Sequence, residues 1–247
     1  MREESGYLTR PDGQRLAFRR VAGRGPTIVW LGGFRSDMAG TKAQALSDWA
    51  VATGRAYVRF DYFGHGESSG DFAEGTITRW RDDCLAVLSQ LVPGEAVLVG
   101  SSMGGWLACL VAVAAPDRIR GMALVAPAPD FTDKLMAPGI PPEGRADLER
   151  TGVWLRPSLY GEAYPITRAL LEDGARWSIL PGPVPIEAPV RILQGGADPD
   201  VPWAHALELA NALKGQDVVF TLIKDGDHRL SRPQDLMRLT AVVEELV

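Results

Sequence analysis

The chain is poor in cysteine and histidine, has no long apolar run and has no excess of basic residues, and each shortage excludes a class of protein. Its 247 residues include two cysteines, Cys84 and Cys109, without metal-ligand spacing, so we expect free buried thiols rather than a zinc site or a disulfide framework. No window approaches the roughly 20 apolar residues of a membrane-spanning helix. The net charge of -5 argues against a nucleic-acid partner.

The N-terminal residues and the overall composition indicate a single soluble domain. Residues 1–5 read Met-Arg-Glu-Glu-Ser, contain no apolar stretch and do not resemble an export signal, so we expect a cytoplasmic protein. With 46% hydrophobic residues, a chain of this length is able to bury a sizeable core. We therefore predict one α/β domain over residues 1–247.

Apolar, strand-like runs alternate with helical patterns along most of the chain. An antiparallel hairpin is predicted to open the fold around a turn at residues 11–13. Further strands are predicted at 27–31, 56–61, 96–99, 122–125, 190–194 and 218–223, and helices at 41–52, 78–91 and 104–115. This alternation is typical of a mostly parallel central sheet with helices on both faces, in which ligands bind beyond the carboxyl ends of the strands.

The segment 127–188 breaks the alternation. It is rich in proline and glycine, with short helical pieces near 147–150 and 166–171, and it is long for a loop. We predict that it is an inserted lid. Its larger apolar residues either line a substrate pocket or form the lid's own small core, and they are Leu135, Met136, Trp154, Leu155, Tyr160 and Trp177.

A candidate nucleophile follows the strand predicted at 96–99. Residues 100–104 read Gly-Ser-Ser-Met-Gly and connect this strand to a helical pattern of small residues, which is the setting of a nucleophile elbow. A serine in so tight a turn needs small residues two positions before and after it, and these are Gly100 and Gly104. Ser102 is therefore the predicted nucleophile.

A serine hydroxyl needs a base and an acid partner before it reacts at neutral pH. The turn after the 190–194 strand carries Asp198 and Asp200, and the loop after the 218–223 strand carries His228. We predict His228 as the base and Asp198 as the acid that orients it. Asp200 remains a competitor, because it flanks the same turn, although it is also placed to cap the next helix.

Backbone N–H groups beside the elbow are expected to stabilise the oxyanion that forms on a carbonyl substrate. Met103 supplies one N–H at the start of its helix, where the helix dipole helps. The strand at 27–31 runs into Gly32, Gly33 and Phe34, and the N–H of Phe34 is the predicted second donor.

The other two histidines are assigned structural roles. His65 lies between two glycines in the loop after the 56–61 strand, where we favour a turn-shaping role over one in lining the site. His205 is expected to be a packing or surface residue on the helix that begins near residue 202.

From residue 27 to its end the chain resembles the α/β-hydrolase superfamily. The matching motif positions are residues 100–106, 198–202 and 227–229, and a narrower resemblance to the abhydrolase-domain-containing-protein-10 type rests on residues 40–42, 59–70, 80–81 and 100–106. The resemblance implies an α/β-hydrolase fold and hydrolysis of esters or acyl thioesters by Ser102, Asp198 and His228 without a metal or organic cofactor. The implied substrate is a small-molecule ester or thioester, or an acylated protein.

Other functions remain open at this point. The same arrangement of residues also supports amide, carbon–carbon bond or peracid chemistry, and some relatives are non-catalytic ligand receptors on the same scaffold. A dehalogenase or an epoxide hydrolase is disfavoured because the elbow holds serine rather than aspartate. The sequence does not predict the physiological substrate or the oligomeric state.

Overall fold

An eight-stranded sheet organises the chain, as seen in a computed structural model that describes residues 2–157 and 162–247. Its strands are β1 (Glu3–Thr9), β2 (Arg15–Val21), β3 (Arg24–Leu31), β4 (Arg55–Phe60), β5 (Ala96–Ser101), β6 (Ile119–Val125), β9 (Val190–Gly195) and β10 (Val218–Ile223). They lie in the order β1-β2-β4-β3-β5-β6-β9-β10. The β1-β2 and β2-β4 pairs are antiparallel and the others are parallel, which confirms the predicted fold class and the opening hairpin.

Helices cover both faces of this sheet. They are α1 (Thr41–Thr53), α2 (Ile77–Leu91), α3 (Met103–Ala114), α4 (Pro142–Thr151), α5 (Arg168–Arg176), α6 (Trp203–Ala212) and α7 (Pro233–Glu244). Leu46 of α1 and Val243 of α7 belong to one buried cluster, whereas Trp80 of α2 and Trp106 of α3 belong to the other. Both cysteines are buried and free, as expected. In the described part of the chain, every helix is too short or too polar to cross a bilayer.

The chain changes direction across the sheet at β3, and this positions the candidate site. After β3 the chain enters β4 on one side of it, and then crosses to β5 on the other side. Leu31 at the end of β3 pairs with Gly100 near the end of β5, so the loops that follow the two strands lie next to each other. Open α/β sheets bind ligands in the crevice at such a switch point.

The segment 127–188 contains more regular structure than its composition predicts. Besides α4 and α5, it forms a separate antiparallel pair, β7 (Val153–Arg156) with β8 (Tyr164–Thr167). Helix α4 begins at a proline, because the first turn of a helix needs no N–H from that residue. Proline therefore starts a helix here instead of preventing one.

The large apolar residues of this segment mostly pack against other protein groups. Met136 and Trp154 are buried in the same hydrophobic cluster as the apolar residues of α2 and α3. Trp177 donates a hydrogen bond to the Thr78 hydroxyl at 2.7 Å. Leu135 packs partly buried against the same cluster, and Leu155 is exposed. Tyr160 lies outside the described residues. Met136 and Trp154 therefore pack into the main core of the protein, and the prediction that they form a small core of the segment's own is not borne out for them.

A buried aspartate joins the two ends of the segment 127–188. Asp130 is 1% exposed and has a φ of 54°, a left-handed conformation that Asp and Asn tolerate better than most residues. Its carboxylate accepts hydrogen bonds from the Ser178 hydroxyl at 2.8 Å and from the N–H groups of Ile179 and Leu180 at 2.9 Å. These bonds fix the end of the segment against its beginning.

Another long-range contact links α1 to the loop that follows β10. The ammonium of Lys42 donates a hydrogen bond of 2.5 Å to the carbonyl oxygen of Arg229, the residue next to His228. Burial lowers the pKa of Lys42 to about 8, against a smaller opposing effect of the Asp227 carboxylate. The charged form of this side chain is therefore less stable in the folded protein than in water.

Replacing Asp130 with alanine should lower the free energy of unfolding by about 2–4 kcal/mol, because buried donors lose a charged acceptor. Asp130→Asn should cost less, since asparagine keeps one acceptor oxygen and tolerates positive φ. Urea denaturation of both variants measures the difference. Equal stability of wild type and Asp130→Ala would contradict this role.

The free energy of unfolding of the wild type should rise relative to that of Lys42→Met between pH 8 and pH 10.5. In this range the unfolded chain keeps the lysine proton whereas the folded chain has released it, so stability increases with pH. The total difference should reach up to about 3 kcal/mol. Denaturant unfolding of both proteins across the range measures it, and parallel pH profiles would show that Lys42 is not held at a lowered pKa.

Candidate active site

Ser102 occupies a strained turn between β5 and α3. Its φ of 55° and ψ of -119° are unusual for a residue with a side chain. A Cβ at Gly100 would lie 2.4 Å from the carbonyl oxygen of Gly104, and a Cβ at Gly104 would lie 2.0 Å from that of Leu31. Only glycine fits at these two positions, which agrees with the predicted elbow.

The three residues predicted to act together form two hydrogen-bonding contacts, with His228 between Ser102 and Asp198. His228 Nε2 is 3.2 Å from Ser102 Oγ, and His228 Nδ1 is 2.8 Å from Asp198 Oδ2. The Asp198 side chain is fully buried and that of His228 is 22% exposed. The imidazole thus lies between Ser102, a half-buried residue, and a fully buried carboxylate.

The Asp198 carboxylate is held by several donors. Oδ1 accepts the N–H groups of Asp200 and Val201 at 2.8 and 2.9 Å, and Oδ2 accepts the side-chain amide of Gln194 at 3.2 Å in addition to His228. Burial raises the pKa of Asp198, but the hydrogen bonds from His228 and the two N–H groups outweigh it and hold the pKa below its ordinary value. The carboxylate is therefore charged at neutral pH.

Asp200 contributes differently from Asp198. The Asp200 side chain is exposed, whereas its backbone N–H donates a hydrogen bond to the Asp198 carboxylate. Among the described residues, Asp198, Asp200 and His228 are the group that could offer three ligand atoms to a metal ion, within 4.8 Å of one another. A metal would have to break the existing hydrogen bonds of Asp198, so the donor set favours hydrogen bonding.

One predicted oxyanion donor, Met103, directly follows Ser102, and the other, Phe34, follows a residue that packs against Ser102. Met103 is the first residue of α3, so its N–H lies at the positive end of that helix. A Cβ at Gly33 would lie 3.4 Å from the Ser102 Cβ, which places the residue before Phe34 directly against the serine. Within the described ranges, neither the Met103 nor the Phe34 N–H donates to a protein acceptor. Both are free to bind a ligand oxygen.

Neither of the other two histidines reaches Ser102 through a hydrogen bond. His205 is buried and its Nε2 lies 2.8 Å from the Pro129 carbonyl oxygen, as expected of a packing residue. His65 is also buried, but its Nε2 accepts the N–H of Arg35, in the loop that carries Phe34. The sequence indicated a turn for His65 and did not reveal this contact.

Gln194 is a residue of the site that sequence reasoning missed. It is fully buried at the end of β9, and its side-chain nitrogen faces three oxygens, those of Asp198, Gly195 and Val201. Turning the amide would put oxygen against oxygen, so this orientation is fixed. The signal available in the sequence was a polar residue directly after two apolar residues at the end of a predicted strand.

The chain is similar to known hydrolases over most of its length. A model of the alpha/beta hydrolase family matches residues 28–239. The palmitoyl-protein thioesterase ABHD10 of Bos taurus, named as mitochondrial, is 36% identical over 243 residues, which cover 98% of this chain and 79% of the relative, and the Homo sapiens protein of that name is 35% identical with the same coverage.

Solved structures give the same result. A protein from Agrobacterium vitis S4, described as a hydrolase, is 44% identical and superposes with a TM-score of 0.95, covering all of both chains. The alpha/beta hydrolase domain-containing protein 10 from mouse is 34% identical, with a TM-score of 0.89 and 98% of both chains covered. These relatives support ester or thioester hydrolysis as the general activity.

One expectation drawn from the sequence is wrong by this comparison. The cytoplasmic location is contradicted by the curated relatives, whose names place those proteins in mitochondria.

The fold, the match of the family model over most of the chain and the identity to these relatives agree with one another. The chain belongs to the alpha/beta hydrolase family.

Proposed function

We propose that this protein is a serine hydrolase that cleaves carboxylic esters or acyl thioesters through an acyl-enzyme intermediate on Ser102. The observation that carries the proposal is the continuous chain from Ser102 Oγ through the His228 imidazole to the buried Asp198 carboxylate, at 3.2 and 2.8 Å. The thioesterase names of the relatives favour acyl thioesters, including acylated proteins, as the substrate class.

The proposed roles follow from where charge develops. His228 Nε2 removes the Ser102 proton as the oxygen attacks the carbonyl, and returns it to the leaving thiol or alcohol. Asp198 accepts the Nδ1–H of His228, which fixes the tautomer with Nε2 free and stabilises the imidazolium that forms. Water then attacks the acyl-enzyme with His228 again as base, which releases the acid and restores Ser102.

The N–H groups of Met103 and Phe34 are proposed to bind the oxygen of the tetrahedral intermediate. Among the described residues, neither N–H donates to a protein acceptor, so neither has to break a hydrogen bond before it binds the substrate oxygen. Donors that are already oriented stabilise the transition state without a cost of reorganisation. Loss of one such donor typically costs about 3 kcal/mol of transition-state stabilisation.

We also propose that residues 1–247 form one domain in which the segment 127–188 acts as a lid. The support is contact between this segment and the oxyanion loop. The Phe131 ring lies 5.5 Å and the Tyr164 ring 6.2 Å from the ring of Phe34, measured between centroids. The segment thus borders the position where the acyl group of a substrate would enter.

Replacing Ser102 with alanine should lower kcat/KM on p-nitrophenyl esters and on acyl thioesters by at least about 10³-fold, because the covalent route is lost. A panel from acetyl to palmitoyl, assayed with wild type and Ser102→Ala, measures this. Hydrolysis that persists in the variant, or a wild type inactive on every member of the panel, would count against the proposal and favour a ligand-binding role.

The two aspartates of the turn after β9 provide a matched pair of variants. Asp198→Asn should reduce kcat by about 10³- to 10⁴-fold, since the amide no longer enforces the reactive tautomer of the imidazole. The kcat of Asp200→Asn should stay within about 3-fold of wild type, because residue 200 contacts Asp198 through its backbone N–H and the substitution retains that N–H. Steady-state kinetics of both variants decide between them, and the reverse order of effects would assign the acid role to Asp200.

A further inference from the structure

The loop that carries the proposed oxyanion donor Phe34 makes a tight turn of an unusual kind. The N–H of Ser36 donates to the carbonyl oxygen of Gly33 at 3.1 Å, which closes a four-residue turn with Phe34 and Arg35 at its centre. Arg35 has a φ of 57°, whereas Phe34 does not have a positive φ. This is the pattern of a type II turn, which favours glycine at the position held by Arg35.

Because Arg35 is not a glycine, a form of the turn in which its φ is negative would be lower in energy, unless another contact stabilises the observed form. Type I and type II turns differ by a flip of their central peptide group, here the one between Phe34 and Arg35. The type I form would let Arg35 adopt a negative φ and would relieve its strain. The flip would also turn the Phe34 carbonyl group and the Arg35 N–H to opposite faces of the turn, which reverses the peptide dipole next to the proposed oxyanion donor and breaks the hydrogen bond that the Arg35 N–H makes.

His65 is placed to prevent this flip. Its Nε2 accepts the Arg35 N–H at 3.2 Å, and its Nδ1 lies 3.1 Å from the Phe63 carbonyl oxygen, so the tautomer with hydrogen on Nδ1 satisfies both contacts. Burial lowers the pKa of His65 to about 4, helped by the charge of Arg35, and the ring is neutral at pH 7 with a lone pair on Nε2.

The His65 ring itself is rigidly positioned. It makes edge contacts with Tyr62, Phe72 and Trp80, with centroid distances of 5.5, 5.2 and 5.3 Å. The acceptor that Arg35 meets is therefore fixed by aromatic packing and not by a mobile side chain.

Other contacts hold the ends of this loop but not its central peptide. Asp61 accepts the N–H of Met38 at 2.7 Å, and the Tyr62 hydroxyl donates to the Gly32 carbonyl oxygen at 3.2 Å. The turn borders a cavity of about 240 Å³, lined in part by Arg35, Ser36 and His65, so packing does not confine it on that side. The Arg35 guanidinium also lies 4.1 Å from the centroid of the Tyr164 ring, but this contact holds the side chain and not the peptide group. Among the described residues, the acceptor of the Arg35 N–H is His65, and this hydrogen bond opposes the flip.

We propose that His65 is a positioning residue that holds the turn at Phe34 and Arg35 in its type II form and thereby keeps the oxyanion loop in its active geometry. This inference rests on the proposed hydrolase function, because the role of Phe34 as oxyanion donor is part of that function. His65 touches no reacting atom and is proposed to act through the Arg35 N–H.

The test replaces His65 with phenylalanine, which keeps a ring in the aromatic packing but removes the acceptor. The Phe63 carbonyl oxygen still accepts the Trp80 indole N–H at 3.1 Å, so the substitution leaves it satisfied. We expect kcat on an ester that the wild type hydrolyses to fall about 10-fold or more with KM within about 2-fold, because an oriented oxyanion donor acts on the transition state. Circular dichroism and thermal melting check that the variant is folded.

Rescue at residue 35 separates positioning from a general packing defect. In the His65→Phe background, Arg35→Gly should restore kcat to within about 3-fold of Arg35→Gly alone, because glycine adopts positive φ without strain. Arg35→Ala removes the same side chain but keeps the preference for negative φ, so it should not restore kcat. Unchanged kcat in His65→Phe, or equal behaviour of the glycine and alanine variants, would overturn the proposal.

A readout that does not depend on activity completes the test. The Arg35 amide should exchange with solvent faster in His65→Phe than in the wild type, measured by NMR, because its buried acceptor is gone. Equal exchange overturns the inference even if the enzyme is active. The wild type could instead be inactive on all esters and thioesters while its Arg35 amide exchanges slowly and this slow exchange depends on His65. That result would overturn the proposed function but would support the role of His65 in holding the turn.

Discussion

The strained backbone of Ser102 is the constraint on which the rest of the site depends. Its φ of 55° and ψ of -119° are held because α3 begins so close to β3 that no side chain fits at Gly104. A conformation of this kind costs on the order of 1–3 kcal/mol and persists only where surrounding structure enforces it. The packing of α3 against β3 thus turns the hydroxyl away from the sheet and places the Met103 N–H beside it.

The other groups of the site lie on three other loops, and a different set of hydrogen bonds holds each loop in place. Gln194 and two backbone N–H groups hold Asp198 after β9, and Lys42 holds the loop after β10 through the carbonyl oxygen beside His228. His65 holds the loop after β3 through the N–H of Arg35. Loops at one sheet edge share no hydrogen-bonded ladder, so separate contacts from neighbouring elements set the distances between them.

Much of this arrangement was predictable because it follows from local patterns and chain order. The elbow glycines, the strands before Asp198 and His228, and the parallel sheet all have short-range signals. The β7-β8 pair and the length of α4 were missed because β8 contains a proline and α4 begins with one, and proline is usually counted against regular structure. Helix α7 received no prediction. The His65 contact joins two loops thirty residues apart and has no sequence signal of its own.

His228 is proposed to activate the Ser102 hydroxyl, and covalent labelling of the serine measures that activation. A fluorophosphonate reacts with an activated serine without any knowledge of the substrate, and peptide mass spectrometry identifies the modified residue. We expect stoichiometric labelling of Ser102 in the wild type and a rate at least about 10²-fold slower in His228→Gln, since the base is lost. A wild type in which Ser102 is not labelled, or a His228→Gln variant labelled at the same rate, would contradict it.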